Sequence, residues 1–238
     1  MLLLNKAYGQ NLKEKGQRIM RKSGKNLLFA GSIFIVAFIT WTILIQKVDV
    51  KVLGVNGTNI GFATINYWFH QLTGVNMTLY IITDWLGLIP IFICMIFGVM
   101  GIIQLIQRRS VFKVDYDIIL LGIYYVLVVL GYLIFEMIPI NYRPILIEGF
   151  LEASYPSSTT LLVLCVMPTL VEQVERRFEN TMVKRLVKAL VICFSVFMVV
   201  GRLISGVHWL TDIVGSIMLS VGLFCIYKAT VLLCYKDN

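Results

Sequence analysis

The feature that most constrains this chain is a series of apolar blocks, each near the length that crosses a bilayer. A hydrocarbon core about 30 Å thick takes roughly 20 helical residues. Six blocks read as spans: Leu27–Ile45, Leu86–Ile106, Ile118–Phe135, Ser157–Val171, Leu186–Ile204 and Trp209–Tyr227. The fourth is short and carries Pro168, but the charge pattern needs an even number of spans. Only 14% of the 238 residues are charged and 58% are hydrophobic, too little charge to cover a soluble domain of this length. The expected fold is an all-α integral membrane protein, a bundle of about six transmembrane helices. Residues 27–234 form the membrane domain, and a basic segment over residues 1–26 precedes it. That segment is followed by no small-residue cleavage site, so the first block reads as an uncleaved span.

Charge placement sets the expected orientation. Seven Lys and Arg residues precede the first span. Arg108, Arg109 and Lys113 join the second and third, and Arg176, Arg177, Lys184, Arg185 and Lys188 cluster between the fourth and fifth. Lys228 and Lys236 follow the sixth, so 17 of the 21 basic residues fall on one side. The rule that cytoplasmic loops are basic predicts cytoplasmic termini in a multi-pass cell-membrane protein. The net charge of +8 is therefore a topology signal, with contact to anionic lipid headgroups, and it excludes a nucleic-acid partner. The five cysteines lie in or at the ends of apolar blocks without metal-ligand or redox spacing, and read as packing residues. Residues 59–72 place Ile65, Trp68, Phe69 and Leu72 at helical spacing, predicting an interfacial helix on the outer side.

Only Lys47, Lys51, Arg143 and Arg202 fall on that outer side, the last two at the ends of spans. A charge there is costly unless it is paired or used. Both arginines belong to polar clusters. One is Asn141-Tyr142-Arg143-Pro144, and a second is Tyr155-Pro156-Ser157-Ser158-Thr159-Thr160. The third runs from Gly201-Arg202 to His208 and Asp212. His208 and Asp212 are four apart, so on one helix the carboxylate can hold the imidazole. Arg143 and Arg202 suit capture of phosphate oxygens, and Ser157 sits where a helix begins, a place that favours an anion. Together these residue types describe a phosphoryl-transfer site. Asp84, Glu148 and Glu152 read as solvated or interfacial charges, and the tyrosines and tryptophans as interfacial anchors.

The pattern resembles the type 2 phosphatidic acid phosphatase superfamily (lipid phosphate phosphatase and vanadium haloperoxidase-like proteins), with its motifs KxxxxxxRP, PSGH and SRxxxxxHxxxD. Three positions depart from it. Glu136 stands where the family has lysine, Gly201 where it has serine, and Thr159 where the second motif has histidine. The resemblance implies a membrane phosphatase needing no metal or other cofactor. His208 would attack phosphorus to form a phosphohistidine with Asp212 orienting it. Arg143, Arg202 and Ser157 would bind the phosphoryl group, and Thr159 would stand in for the family acid. The implied substrate is a lipid phosphate or, with the acid histidine missing, a lipid diphosphate such as a polyprenyl diphosphate, taken at the outer leaflet. The lost lysine and histidine leave a second reading, a relative that binds lipid phosphate without turnover. The oligomeric state is not encoded in any motif.

Overall fold

The computed structural model describes residues 2–234; Lys236, counted above among the basic residues, lies outside them. The chain is a helical bundle with one small hairpin. The helix α1 (Leu2–Ile45) leads into two short antiparallel strands, β1 (Lys51–Val52) and β2 (Asn59–Ile60). Then come α2 (Ala63–Thr73), α3 (Met77–Leu86), α4 (Leu88–Arg108), α5 (Tyr116–Met137), α6 (Ser158–Arg177), α7 (Thr181–Ile204) and α8 (Leu210–Cys234).

Five stretches of the described residues are long and apolar enough to cross a membrane: Lys15–Ile45, Met77–Arg108, Tyr116–Met137, Thr181–Ile204 and Leu210–Cys234. They correspond to five of the six expected spans. The remaining one, the expected fourth, does form a helix, but α6 falls outside this set. Its position gives the reason. It packs against α4, α5, α7 and α8, and Thr159, Thr160, Thr169 and Gln173 are buried along it. A helix walled largely by protein does not need a lipid-compatible perimeter, so it can carry polar side chains. The second span also begins earlier than expected. It includes α3, which meets α4 at Gly87. The basic N-terminal segment continues as helix into the first span without a break.

The longest packing seam joins α1 to α8, and small residues bring the backbones together. A Cβ on Gly31 would stand 3.0 Å from the Gly222 carbonyl oxygen, and one on Gly222 would stand 2.8 Å from Ile35. Near the far end of the seam Trp41 Nε1 donates to the Thr211 carbonyl at 3.2 Å. The expected outer helix is α2. Its Ile65, Trp68 and Leu72 are exposed, while Asn66 is buried and bonds both the Thr211 hydroxyl and its backbone N–H.

Antiparallel packing sorts polar groups to the two ends of the bundle. At one end lie the ion pairs Arg108–Asp115 (2.7 Å), Arg177–Asp117 (3.0 Å) and Lys228–Glu172. The segments that lead into α6 and α8 gather at the other. The five cysteines are all unpaired.

Candidate active site

The site forms where three stretches far apart in sequence converge: the segment between α5 and α6, the turn between α7 and α8, and α3. The α7–α8 turn is shaped by Gly206. Its φ of +72° is left-handed, and a Cβ there would stand 1.9 Å from the Gly74 carbonyl oxygen, so only glycine fits. This close approach lets Ser205 accept from the Asn76 backbone N–H at 2.9 Å, which ties the turn to the start of α3.

His208 follows that turn and is buried. Its Nδ1 lies 3.1 Å from the backbone carbonyl of Ser154, an acceptor that has no proton to give. Nδ1 therefore carries the proton and donates it, leaving the Nε2 lone pair as an acceptor. Nε2 lies 3.3 Å from Arg202 Nη2. Burial, and then the charges of Arg143 and Arg202, hold the imidazole well below its ordinary pKa, which favours its neutral form.

Asp212 does not meet His208 directly; the separation of Nδ1 from Oδ2 is 3.8 Å. The hydroxyl of Ser154 stands between them, 3.2 Å from Nδ1 and donating to Asp212 Oδ2. The same carboxylate oxygen caps the start of α8 by accepting from the Trp209 backbone N–H at 2.8 Å. A buried carboxylate is expensive unless bonded; these contacts satisfy Oδ2, while Oδ1 is buried without a hydrogen-bond partner among the described residues.

Arg143 and Arg202 are 8% and 1% exposed. They flank the ring of Tyr80 on α3, their guanidinium carbons 5.8 and 4.9 Å from its centroid, within cation–π range. Arg143 Nε pairs with Glu152 at 3.1 Å, and Arg202 Nη1 with Asp84 at 3.4 Å. Arg143 Nη1 and Arg202 Nε are buried without a hydrogen-bond partner among the described residues. Two buried cations with donors to spare are chemically suited to an anion.

The structure thus brings together Arg143, Arg202, His208 and Asp212. Ser157 meets Asp212 through its backbone, its N–H donating to the Asp212 carbonyl at 3.4 Å, and Thr159 lies farther along α6. The Ser157 hydroxyl donates to Thr160 Oγ1 at 3.1 Å, and its carbonyl accepts from Ser216 on α8, so the residue is engaged in α6–α8 packing. Two expectations need correction. Asp84 and Glu152 are ion-pair partners of the site arginines rather than free solvated charges, whereas Glu148 is exposed as expected. Tyr155 and Trp209 are buried rather than interfacial. Tyr155 OH shares a 2.7 Å hydrogen bond with Thr42, and Trp209 Nε1 donates to the Tyr142 carbonyl at 2.7 Å. Ser154 and Tyr80 carried no sequence signal of a role in the site.

A family model described as PAP2 superfamily matches residues 119–235. Residues 119–235 belong to the PAP2 superfamily. Among solved structures, the fold matches a transmembrane PAP2-type phosphatidylglycerolphosphate phosphatase from Bacillus subtilis with a TM-score of 0.63. The sequences are 15% identical, and the match covers 87% of this chain and 98% of the other. No curated protein matches the sequence. The chain is thus a multi-pass membrane protein with a PAP2 phosphatase fold.

Within the PAP2 region, two of the three motif departures have structural reasons. A Cβ on Gly201 would stand 2.7 Å from Thr83 Cγ2, so glycine there lets α3 lie close against α7. Thr159 Cγ2 packs 3.1 Å from where a Cβ on Gly87 would stand, directing position 159 at the α3–α4 junction. Glu136, the charge reversal, is exposed near the end of α5 and shares a narrow cavity with His208, Tyr132 and Ser158. Tyr80 and Asp84, which cover the arginine pair, both come from outside the PAP2 match.

Proposed function

We infer that this protein is a membrane phosphatase that removes the terminal phosphoryl group of a lipid diphosphate at the outer leaflet. The observation that carries this reading is His208. Its proton is fixed on Nδ1 by the Ser154 carbonyl, and its Nε2 lone pair faces Arg202 beside a second buried arginine. In this reading Nε2 attacks phosphorus, the P–O bond to the lipid breaks, and the phosphoryl group passes to His208. Arg143 and Arg202 stabilise the charge on its oxygens, which is where electrostatic catalysis acts most strongly. Asp212, through Ser154, favours the cationic character that His208 gains. Ser157 contributes at most through the backbone at the start of α6. Water then releases phosphate, and the chemistry needs no metal ion or cofactor. The lipid tail lies in the membrane, so bilayer lipids are neighbours of both substrate and product.

The diphosphate preference follows from position 159. Expelling an alkoxide from a lipid monophosphate gains a factor of about 100 to 10,000 from a positioned acid. Threonine is no acid near neutral pH, and Thr159 is packed at the α3–α4 junction. A lipid monophosphate leaving from a diphosphate has a pKa near 6, so it departs as an anion without a proton donor. Orientation in the membrane is supported by the basic loops, which lie at the end of the bundle away from the site.

The test is kcat/KM for a matched lipid mono- and diphosphate, with wild type and Thr159→His. The expected result is a wild type favouring the diphosphate and a variant gaining mainly on the monophosphate. A wild type favouring the monophosphate overturns the preference. Tight binding with no phosphate release from either would support the binding-only reading instead.

A further inference from the structure

We propose that Asp84 is the general base that activates water against the phosphohistidine. The proposal rests on the reading of His208 as nucleophile. That reading supplies a step with a rival acceptor at a motif position, Glu136, which lines a cavity with His208 and is separated below by Glu136→Gln: the attacking water must lose a proton. Thr159 cannot take it. His70, on α2, sets its ring against Trp209. Glu152 pairs with Arg143, whereas the guanidinium that faces His208 Nε2 is that of Arg202.

Asp84 is differently placed. Its Oδ1 pairs with Arg202 Nη1, while the neighbouring Nη2 of that guanidinium faces His208 Nε2. The carboxylate and the nucleophile therefore sit on adjacent nitrogens of one planar fork. His208 and Asp84 line different cavities and are joined through Arg202, so in this proposal a phosphoryl group on Nε2 would meet Asp84 across that fork. Asp84 also has access to water, since its side chain is 57% exposed and lines a cleft with Met77, Tyr80, Trp85 and Glu148. A base must return its proton to solvent after each cycle, and a sealed carboxylate could not. The placement depends on α3 lying tight against α7, which Gly201 permits.

The step balances. Water oxygen bonds to phosphorus as its proton passes to an Asp84 oxygen. The N–P bond breaks, its electron pair returns to His208 Nε2, and inorganic phosphate leaves. Asp84 then loses the proton to bulk water. An ionised carboxylate accepts a proton but has none to give. This division of labour suits a diphosphate, whose first step needs no acid and whose second step needs a base.

The experiment uses purified full-length protein in detergent and farnesyl diphosphate radiolabelled at its terminal phosphoryl group. Wild type, Asp84→Asn, Asp84→Ala and Glu136→Gln are quenched during turnover and scored for acid-labile, base-stable phosphoprotein. Thermal unfolding checks that each variant is folded. Asp84→Asn is expected to accumulate phosphoprotein while steady-state phosphate release falls about 100- to 10,000-fold. Added formate should restore part of the release by Asp84→Ala. A folded Asp84→Asn that loses phosphorylation and release together would make Asp84 only a positioning residue for Arg202, and overturn the proposal. So would unchanged release, or accumulation in Glu136→Gln instead. Wild type that forms no phosphoprotein and releases no phosphate would overturn the nucleophile reading and this proposal with it.

Discussion

Ser154 and Asp212 form the hinge of the site, with the serine hydroxyl donating to the carboxylate while the serine carbonyl accepts from His208 Nδ1. One residue thus fixes the imidazole tautomer and connects it to a buried negative charge that the histidine does not touch directly.

This arrangement separates two losses. Ser154→Ala removes the hydroxyl bridge but keeps the backbone carbonyl that orients His208. A hydrogen bond to a charged group is worth about 1.5–3 kcal/mol, so kcat/KM should fall about ten- to a hundredfold. Asp212→Asn removes the charge itself and should cost more, toward the ~10,000-fold seen when a triad carboxylate is neutralised. Steady-state phosphate release by both variants checks the order; an equal or larger loss in Ser154→Ala contradicts it.

The pH dependence has a definite sign. Burial and the two arginines lower the His208 pKa well below its ordinary 6.5. A lowered pKa keeps the imidazole neutral as pH falls through 6.5, so nucleophilic attack persists there. The profile of kcat/KM, which reports the free enzyme, should show no His208 limb near 6.5. Arg143→Gln removes one of the opposing charges and should move that limb upward. A wild-type limb centred near 6.5 that Arg143→Gln leaves in place would contradict this electrostatic account.

Gly201 predicts a stability effect. Gly201→Ala puts a methyl 2.7 Å from Thr83 Cγ2, and overpacking of this kind costs about 1–3 kcal/mol. Thr83→Ala in the same chain removes the obstructing methyl and should recover part of the loss. Thermal unfolding in detergent of the two single variants and the double measures it; strictly additive losses would contradict the contact.

Topology is testable with single cysteines in a background freed of the native five. Met182 and Phe150 are exposed at opposite ends of the bundle. Met182→Cys should react with an impermeant thiol reagent only from the cytoplasm, and Phe150→Cys only from outside. The reverse pattern would invert the orientation drawn from the basic loops.

The sequence carried the part of the site that is locally encoded. Arg202, His208 and Asp212 lie within one short stretch, and charged side chains at the ends of apolar spans are conspicuous because membranes penalise them. The helices were legible as apolar blocks, and α6, whose polar positions are tolerated by burial among its neighbours, reads as a span from the charge pattern. What escaped was contact across the fold. Asp84 meets Arg202 at a separation of 118 residues, and Ser154 meets His208 at 54. Neither pairing leaves a local period or spacing. Asp84 also looked solvated because half of it is; its other role follows only from how α3 lies on α7.

The most direct measurement is phosphate release by purified wild type and His208→Ala from a lipid diphosphate, with both proteins shown to be folded. The account predicts steady release by wild type and none above background for His208→Ala. Unchanged release by the alanine variant would mean that His208 is not the nucleophile.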